Sequence, residues 1–298
     1  MRVFLTRATG FIGSAIVQEL IGAGHQVLGL ARSDATAKSL AAAGAEAHRG
    51  ALDDLDSLRR GAAASDGVIH TAFVHDFSDY AAAGETDRLA VEALGSALVE
   101  SGRPLVITSG TAVLTPGRLG TEDDAPDPSS AAVPRIASEE VVLALASQGV
   151  RASVVRLPAS VHGDGDHGFV PALIGIAREK GVSAYVGEGL NRWSAVHRLN
   201  AAHLFRLALE KGSAGARFHG VADEGVPVRD IAEVIGRRLN VPFVAKSPEE
   251  AADHFGWLAH FLVIDNPTSS TRTQEELGWR PNQPALIPDL DRAHYFET

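Results

Sequence analysis

The chain reads as an α/β protein built on a doubly wound parallel sheet, followed by a smaller and mostly helical lobe. Three observations lead there. Short apolar runs alternate with helical stretches through the first half, and parallel neighbours need a crossover of a dozen residues or more, so the alternation implies parallel pairing. The runs are almost continuously apolar, as expected where helices cover both faces of a sheet. Beyond about residue 157 the alternation weakens and helical patterns dominate. The reading divides the 298 residues into 1–160 and 161–298, with segments of the second part returning to the sheet.

Each element has its own signal. Val3-Phe4-Leu5 is the first strand, and a helix follows from about Gly10 to Ala23. Gln26–Leu30 is the second strand, before a helix over Asp34–Ala43. Glu46–His48, a helix near Leu52–Gly61, and Gly67-Val68-Ile69-His70 come next. A long helix is predicted over Glu85–Ser101, a fifth strand over Pro104–Thr108, a helix over Pro134–Gln148 and a sixth strand over Ala152–Arg156. In the second part, helices are predicted near Phe169–Lys180, Asn200–Lys211, Val228–Leu239, Pro248–His260 and Thr271–Leu277.

Composition narrows the function classes. Lys and Arg number 27 against 37 Asp and Glu, a net charge of −10 that argues against a nucleic-acid partner. No apolar run approaches the ~18 residues a membrane span needs. The opening Met1–Thr6 is too short for a signal peptide, so the expectation is a cytoplasmic protein. With no cysteine, disulfides, thiolate metal sites and cysteine nucleophiles are excluded.

The first strand runs into Thr6-Arg7-Ala8-Thr9-Gly10-Phe11-Ile12-Gly13. A strand, a glycine-bearing turn and a helix make a dinucleotide site, because helix N-terminal N–H groups face a pyrophosphate and glycines let the backbone come close. With Gly10 and Gly13 in that turn, Arg32-Ser33 after the second strand, His70-Thr71-Ala72 after the fourth and Thr108-Ser109-Gly110-Thr111 after the fifth, the chain resembles the extended short-chain dehydrogenase/reductase family. Arg156-Leu157-Pro158, Val161-His162-Gly163, Trp193, Val196-His197 and Leu277–Pro281 extend the resemblance over nearly the whole length.

The resemblance implies a Rossmann fold and a nicotinamide cofactor. Thr6, Arg7, Thr9, Gly10, Phe11, Ile12 and Gly13 would hold its phosphates. Arg32 and Ser33 stand where NAD-preferring relatives carry an acid, so NADP(H) is expected, with NAD(H) as the lesser option. Ala51 and Leu52 would lie at the adenine, where Ala51 replaces the family's Asp. His70, Thr71, Ala72, Phe73, Pro158, Val161 and His162 would line the rest of the cofactor site. Arg7 replaces the family's first glycine. It is either a tolerated substitution with its guanidinium in solvent, or a clamp on the phosphate-bearing ribose beside Arg32 that risks crowding the cofactor.

The catalytic pattern departs from the family's Tyr-x-x-x-Lys. Arg135 falls at the Tyr position and Glu139 at the Lys position. Arg135 is a permanent cation suited to steadying an alkoxide or holding cofactor, and it can also pair with Glu139 one turn on. Ser109 and Thr111 are the candidate hydroxyls, with Thr111 and relayed water favoured for the proton. His75 is the candidate acid with a suitable ordinary pKa, against the plainer reading of a loop histidine. His162–His167 holds metal-capable residue types but matches a glycine-rich loop that needs no metal, so none is expected. Trp193, Trp257, Phe255 and Phe261 read mainly as core, although His254–Trp257 is placed to cover a small apolar substrate.

The leading expectation is an NADP(H)-dependent oxidoreductase acting on a carbonyl, alcohol or related C=N group of a small molecule. A non-catalytic NADP(H) sensor and a sugar-nucleotide epimerase or dehydratase are the alternatives. A homodimer is expected through the helices at Glu85–Ser101 and Pro134–Gln148, where Leu89, Val91, Ala93, Leu94, Ala97 and Leu98 carry apolar positions beyond one stripe.

Overall fold

The computed structural model describes residues 1–74, 79–130 and 132–297. The first half alternates strictly: β1 (Arg2–Thr6), α1 (Phe11–Gly22), β2 (Gln26–Ala31), α2 (Asp34–Ala42), β3 (Glu46–Arg49), α3 (Leu55–Ala63) and β4 (Gly67–His70). It continues through α4 (Tyr80–Ser96), β5 (Pro104–Gly110), α5 (Ile136–Ser147) and β6 (Arg151–Leu157). The second half contains β7 (Ser160–His162), α6 (Phe169–Lys180), β8 (Ser183–Val186), β9 (Arg192–His197), α7 (Arg198–Lys211), β10 (Arg217–His219) and β11 (Asp223–Pro227). It closes with α8 (Val228–Leu239), β12 (Phe243–Lys246), α9 (Pro248–Phe255), α10 (Ala259–Leu262), α11 (Thr271–Leu277) and α12 (Leu286–Leu290).

The central sheet has seven strands in the order β10-β6-β5-β4-β1-β2-β3, and every pairing in it is parallel. Its inner strands are buried on both faces, as their apolar runs require, while the edge strand β3 is mostly exposed. Ile16, Leu20, Phe205 and Leu209 from α1 and α7 pack one face. Leu58, Val91, Leu94 and Leu145 from α3, α4 and α5 pack the other. The strand order reverses between β1 and β4, which pair with Thr6 opposite His70. In open α/β sheets ligands bind at such a switch point, outside the carboxyl ends of the strands.

Several expectations change in detail. The helix predicted from Glu85 begins at Tyr80, because the Asp79 side chain accepts a hydrogen bond from the Ala82 N–H and caps it. The helix predicted over Pro248–His260 breaks at Gly256, whose φ of +56° ends α9 and turns the chain into a short 3₁₀ segment over Gly256–Leu258. The second lobe is less purely helical than its pattern suggests. It holds a three-stranded sheet, β11-β9-β7, and a two-stranded one, β12-β8. Its own core includes Trp193, Ile231, Phe255, Leu258 and Leu286. Two second-half elements join the first layer: α7 packs against α1, and β10 pairs with β6.

Candidate active site

The turn after β1 is built around Arg7, whose φ of 53° is in the left-handed region where side chains other than glycine are strained. The Gly10 N–H donates to the Arg7 carbonyl at 2.9 Å and closes the turn. Gly13 must be glycine: a Cβ there would stand 2.1 Å from the Arg7 carbonyl oxygen. Gly10 is the N-cap of α1 and no side chain caps that end. The first-turn amides therefore keep unspent donors, with the positive end of the helix dipole behind them. This terminus fits a pyrophosphate.

A buried polar chain runs from this turn across the switch point. The Thr6 hydroxyl accepts from the Thr71 and Ala72 N–H groups, both at 3.1 Å, so its own proton goes to His70 Nδ1 at 2.9 Å. His70 must then carry its proton on Nε2, which donates to Asp87 Oδ1 at 3.1 Å. Asp87 Oδ2 accepts from the Ser138 hydroxyl at 2.5 Å and stands 3.4 Å from Arg135 Nη1. Burial works against the charge on Asp87, but Arg135 and the hydrogen bonds from His70 and Ser138 outweigh it and hold the carboxyl below its ordinary range. Arg135 is fixed further by donating from Nη2 to the Thr108 carbonyl and by lying 4.1 Å over the Phe73 ring.

One cavity of about 680 Å³ opens along the carboxyl ends of β1, β4 and β5. At one end it is lined by Arg7, Gly10, Phe11, Ile12 and Gly13. Thr71, Phe73, Ser109 and Arg135 line its middle, with Pro158 and Val161 opposite. The Ser109 Oγ is buried and makes no hydrogen bond among the described residues. A buried hydroxyl without a partner at a cavity wall fits a bound oxygen. Arg7 Nη1 also reaches the Phe73 carbonyl at 3.4 Å, so the guanidinium spans the entrance rather than pointing only to solvent.

Other predicted residues lie elsewhere. Thr111 is buried and donates its hydroxyl to Asn266 Oδ1 at 2.6 Å, while Asn266 Nδ2 donates back to the Thr111 carbonyl. It is not among the cavity-lining residues, so the proton role expected of it does not match its position. Glu139 points away from Arg135 and is buried in a two-pronged pair with Arg156, at 3.0 and 2.7 Å. Neither a place at the reacting end nor the helical pairing with Arg135 holds for it. His162 is a fully buried residue whose Nδ1 lies 2.8 Å from Asp289 Oδ2, which also accepts from the Tyr295 hydroxyl at 3.1 Å. This triplet ties β7 to the chain's last turns rather than facing the cavity.

Thr9 is exposed beside the turn, and Arg32 is exposed just past β2. Ser33 caps α2 by accepting from the Thr36 N–H at 3.2 Å. Ala51 and Leu52 are half-buried beyond β3, with Leu52 packed against the core under the sheet. Ala72 continues the strand end beside Thr71. His75 lies outside the described residues.

The cavity also contains residues that the sequence did not nominate for it. Tyr80, at the first turn of α4, stacks edge-on to Phe73 with ring centres 5.7 Å apart. Burial keeps its hydroxyl protonated beyond the ordinary range, partly offset by the nearby charge of Arg135. Its only sequence signal was the Asp79 cap that begins the helix there. Asp166 also lines the cavity, next to His167, and accepts from the Gly168 N–H at 2.7 Å; burial pushes its carboxyl up to about 6. Asn266 and Ile264 arrive from a loop more than a hundred residues downstream, beyond any local pattern.

Comparison with known proteins agrees with this architecture. Residues 3–220 match the family model described as the NAD dependent epimerase/dehydratase family, and the chain belongs to that family. An uncharacterized protein of Schizosaccharomyces pombe is 54% identical over 298 residues, covering 99% of this chain and 100% of its own. A Stigmatella aurantiaca protein named 4-hydroxy-2-methyl-3-oxo-4-farnesyl-3,4-dihydroquinoline-1-oxide ketoreductase is 28% identical over 86% of this chain and 80% of its own. The structure of DesIV, a dTDP-glucose 4,6-dehydratase from Streptomyces venezuelae solved with NAD, shares the fold at a TM-score of 0.81 and 20% identity over 99% of this chain and 97% of its own. The protein is thus an NAD(P)-dependent oxidoreductase of the short-chain dehydrogenase/reductase type. Among the described residues no helix is long and apolar enough to cross a membrane.

Proposed function

We propose that the protein is an NADP(H)-dependent oxidoreductase that moves a hydride to or from the carbon of a carbonyl, alcohol or related C=N group in a small organic substrate. The observation carrying this reading is the continuity of one cavity from the uncapped amides of α1 to Ser109 and Arg135. The ketoreductase name of the Stigmatella aurantiaca relative supports a carbonyl as the reacting group.

When bound, the nicotinamide cofactor supplies the hydride. The α1 amides would hold its pyrophosphate, and Arg7 and Arg32 would pair with the ribose phosphate. Ser109 donates its unspent proton to the substrate oxygen. Arg135, anchored by Thr108 and Asp87, presents positive charge as that oxygen becomes an alkoxide. Tyr80, a protonated phenol on the same wall, then delivers a proton to it; in oxidation the proton returns by the same route.

The test is NADPH oxidation against a panel of ketones, aldehydes and imines, with NADH in parallel. NADPH is expected to be the better cofactor, and Arg32→Asp is expected to reverse the preference. An NADH preference in the parent protein defeats the phosphate clamp. Tight NADPH binding without turnover of any probe would favour a sensor instead.

The reading extends to a homodimer through the outer faces of α4 and α5. Val91, Ala93, Leu94 and Leu98 are buried within the protomer and need no partner, but Leu143 on α5 is 42% exposed and Leu89 on α4 is half-buried. Light scattering at micromolar concentration should show twice the monomer mass; a monomer-sized particle alone removes the dimer.

A further inference from the structure

From the far end of the cavity we infer the substrate class: an uncharged, largely apolar carbonyl compound rather than a nucleotide-linked sugar. The chemistry rests on the hydride-transfer reading above, but the fit does not. Beyond Ser109 and Arg135 the cavity runs into the second lobe, where Phe169, Trp193, Trp257 and Phe261 gather around it. Phe169 sits at their centre, with ring centres 5.7 Å from Trp193, 5.8 Å from Trp257 and 5.2 Å from Phe261. The rings are tilted against one another, so the wall offers both faces and edges to a ligand.

Trp257 is what makes this a binding wall as well as core. Gly256 breaks the helix and swings Trp257 onto the cavity, where the indole is 54% exposed. An exposed indole continuous with a buried aromatic cluster gains by covering apolar ligand surface. Its neighbour Phe255, one residue before the break, is instead buried in the lobe core.

Charge points the same way. The lining arginines are Arg7 and Arg135, at the turn and beside β5. Among the described residues the other lining groups able to carry charge are Asp166 and His167, and His167 stands edge-on to Phe11 of the turn, with ring centres 5.7 Å apart. Among the described residues no arginine or lysine lines the cavity beside Phe169, Trp193, Trp257 and Phe261, so a substrate diphosphate there would shed water at a large cost. An apolar ketone meets no such cost.

Isothermal titration calorimetry on the NADP⁺-loaded protein tests this, with 4-phenylbutan-2-one and UDP-glucose as the two probes. The ketone should bind saturably, and UDP-glucose should give no saturable heat. Trp257→Ala and Phe261→Ala should each weaken ketone binding about tenfold or more while leaving NADP⁺ affinity within about twofold. Trp257, being half exposed, can be removed without opening the core, so loss of folding does not mask the result. Saturable UDP-glucose binding, or ketone binding indifferent to both substitutions, would overturn the inference. A ketone that binds through Trp257 but is never reduced by NADPH would leave this inference standing and count against the hydride-transfer reading alone.

Discussion

Glu139→Ala should cost about 3–5 kcal/mol of stability, because it leaves the Arg156 guanidinium buried without its counter-charge. Both side chains are essentially inaccessible, at 1% and 0%. For a chain of 298 residues the melting temperature should drop by about 5–8 °C. Arg156 would still reach the Asp124 carbonyl at 3.0 Å, but a carbonyl dipole does not neutralise a buried cation. Activity per folded molecule well below the transition should stay within about twofold, since Glu139 does not line the cavity; differential scanning calorimetry paired with steady-state kinetics measures both. Unchanged stability with lost turnover would return Glu139 to the reacting centre.

Arg135→Met should have the largest kinetic effect, a fall in kcat/KM of about 10²–10³-fold, the scale seen when one donor to a developing oxyanion is removed. The loss should fall mainly on kcat, with cofactor affinity little changed, because the proposed role of Arg135 is at the substrate oxygen. Ser109→Ala and Tyr80→Phe should each lower kcat by about 10²-fold. The acid limb of stability supplies a second readout. Asp87 has a native pKa below its ordinary value, so its stabilisation is complete above about pH 4 and disappears as pH falls through the native value. Without Arg135 the native value rises, and acid unfolding should begin at higher pH. An unaltered kcat/KM would exclude Arg135 from the reaction.

The parallel sheet and the turn after β1 were legible in the sequence because they depend on short-range patterns: apolar runs, crossover lengths and glycines at fixed offsets. The residues of the turn and of the β4 and β5 ends could be named for the same reason. What was not legible depended on contacts far apart in the chain. Glu139 stands at the family's Lys position, and its spacing allowed a pair with Arg135, but its partner Arg156 comes from the neighbouring strand. Thr111 and Ser109 are two residues apart and chemically similar; only the position of Asn266, 155 residues beyond Thr111, determines which hydroxyl is already spent. Tyr80 carried no motif, and Trp257 differs from Phe255 only through the backbone break at Gly256. The small lobe strands are three to six residues long and were outweighed by the helical stretches around them.

The return of α7 and β10 to the first layer has a consequence for how such a protein can change over evolutionary time. Phe205 and Leu209 of α7 fill one face of the sheet, and β10 shields the edge of β6. A duplication or recombination that copied only the residues before β7 would inherit a sheet with a bare apolar face and an open edge, the features that drive chains to aggregate. The nucleotide-binding half is therefore not a portable module. On the proposed reading, new specificity would arise by altering the segments that reach the cavity from the lobe, at the start of α6, at Trp257 and around Asn266, while the interleaved frame passes on whole.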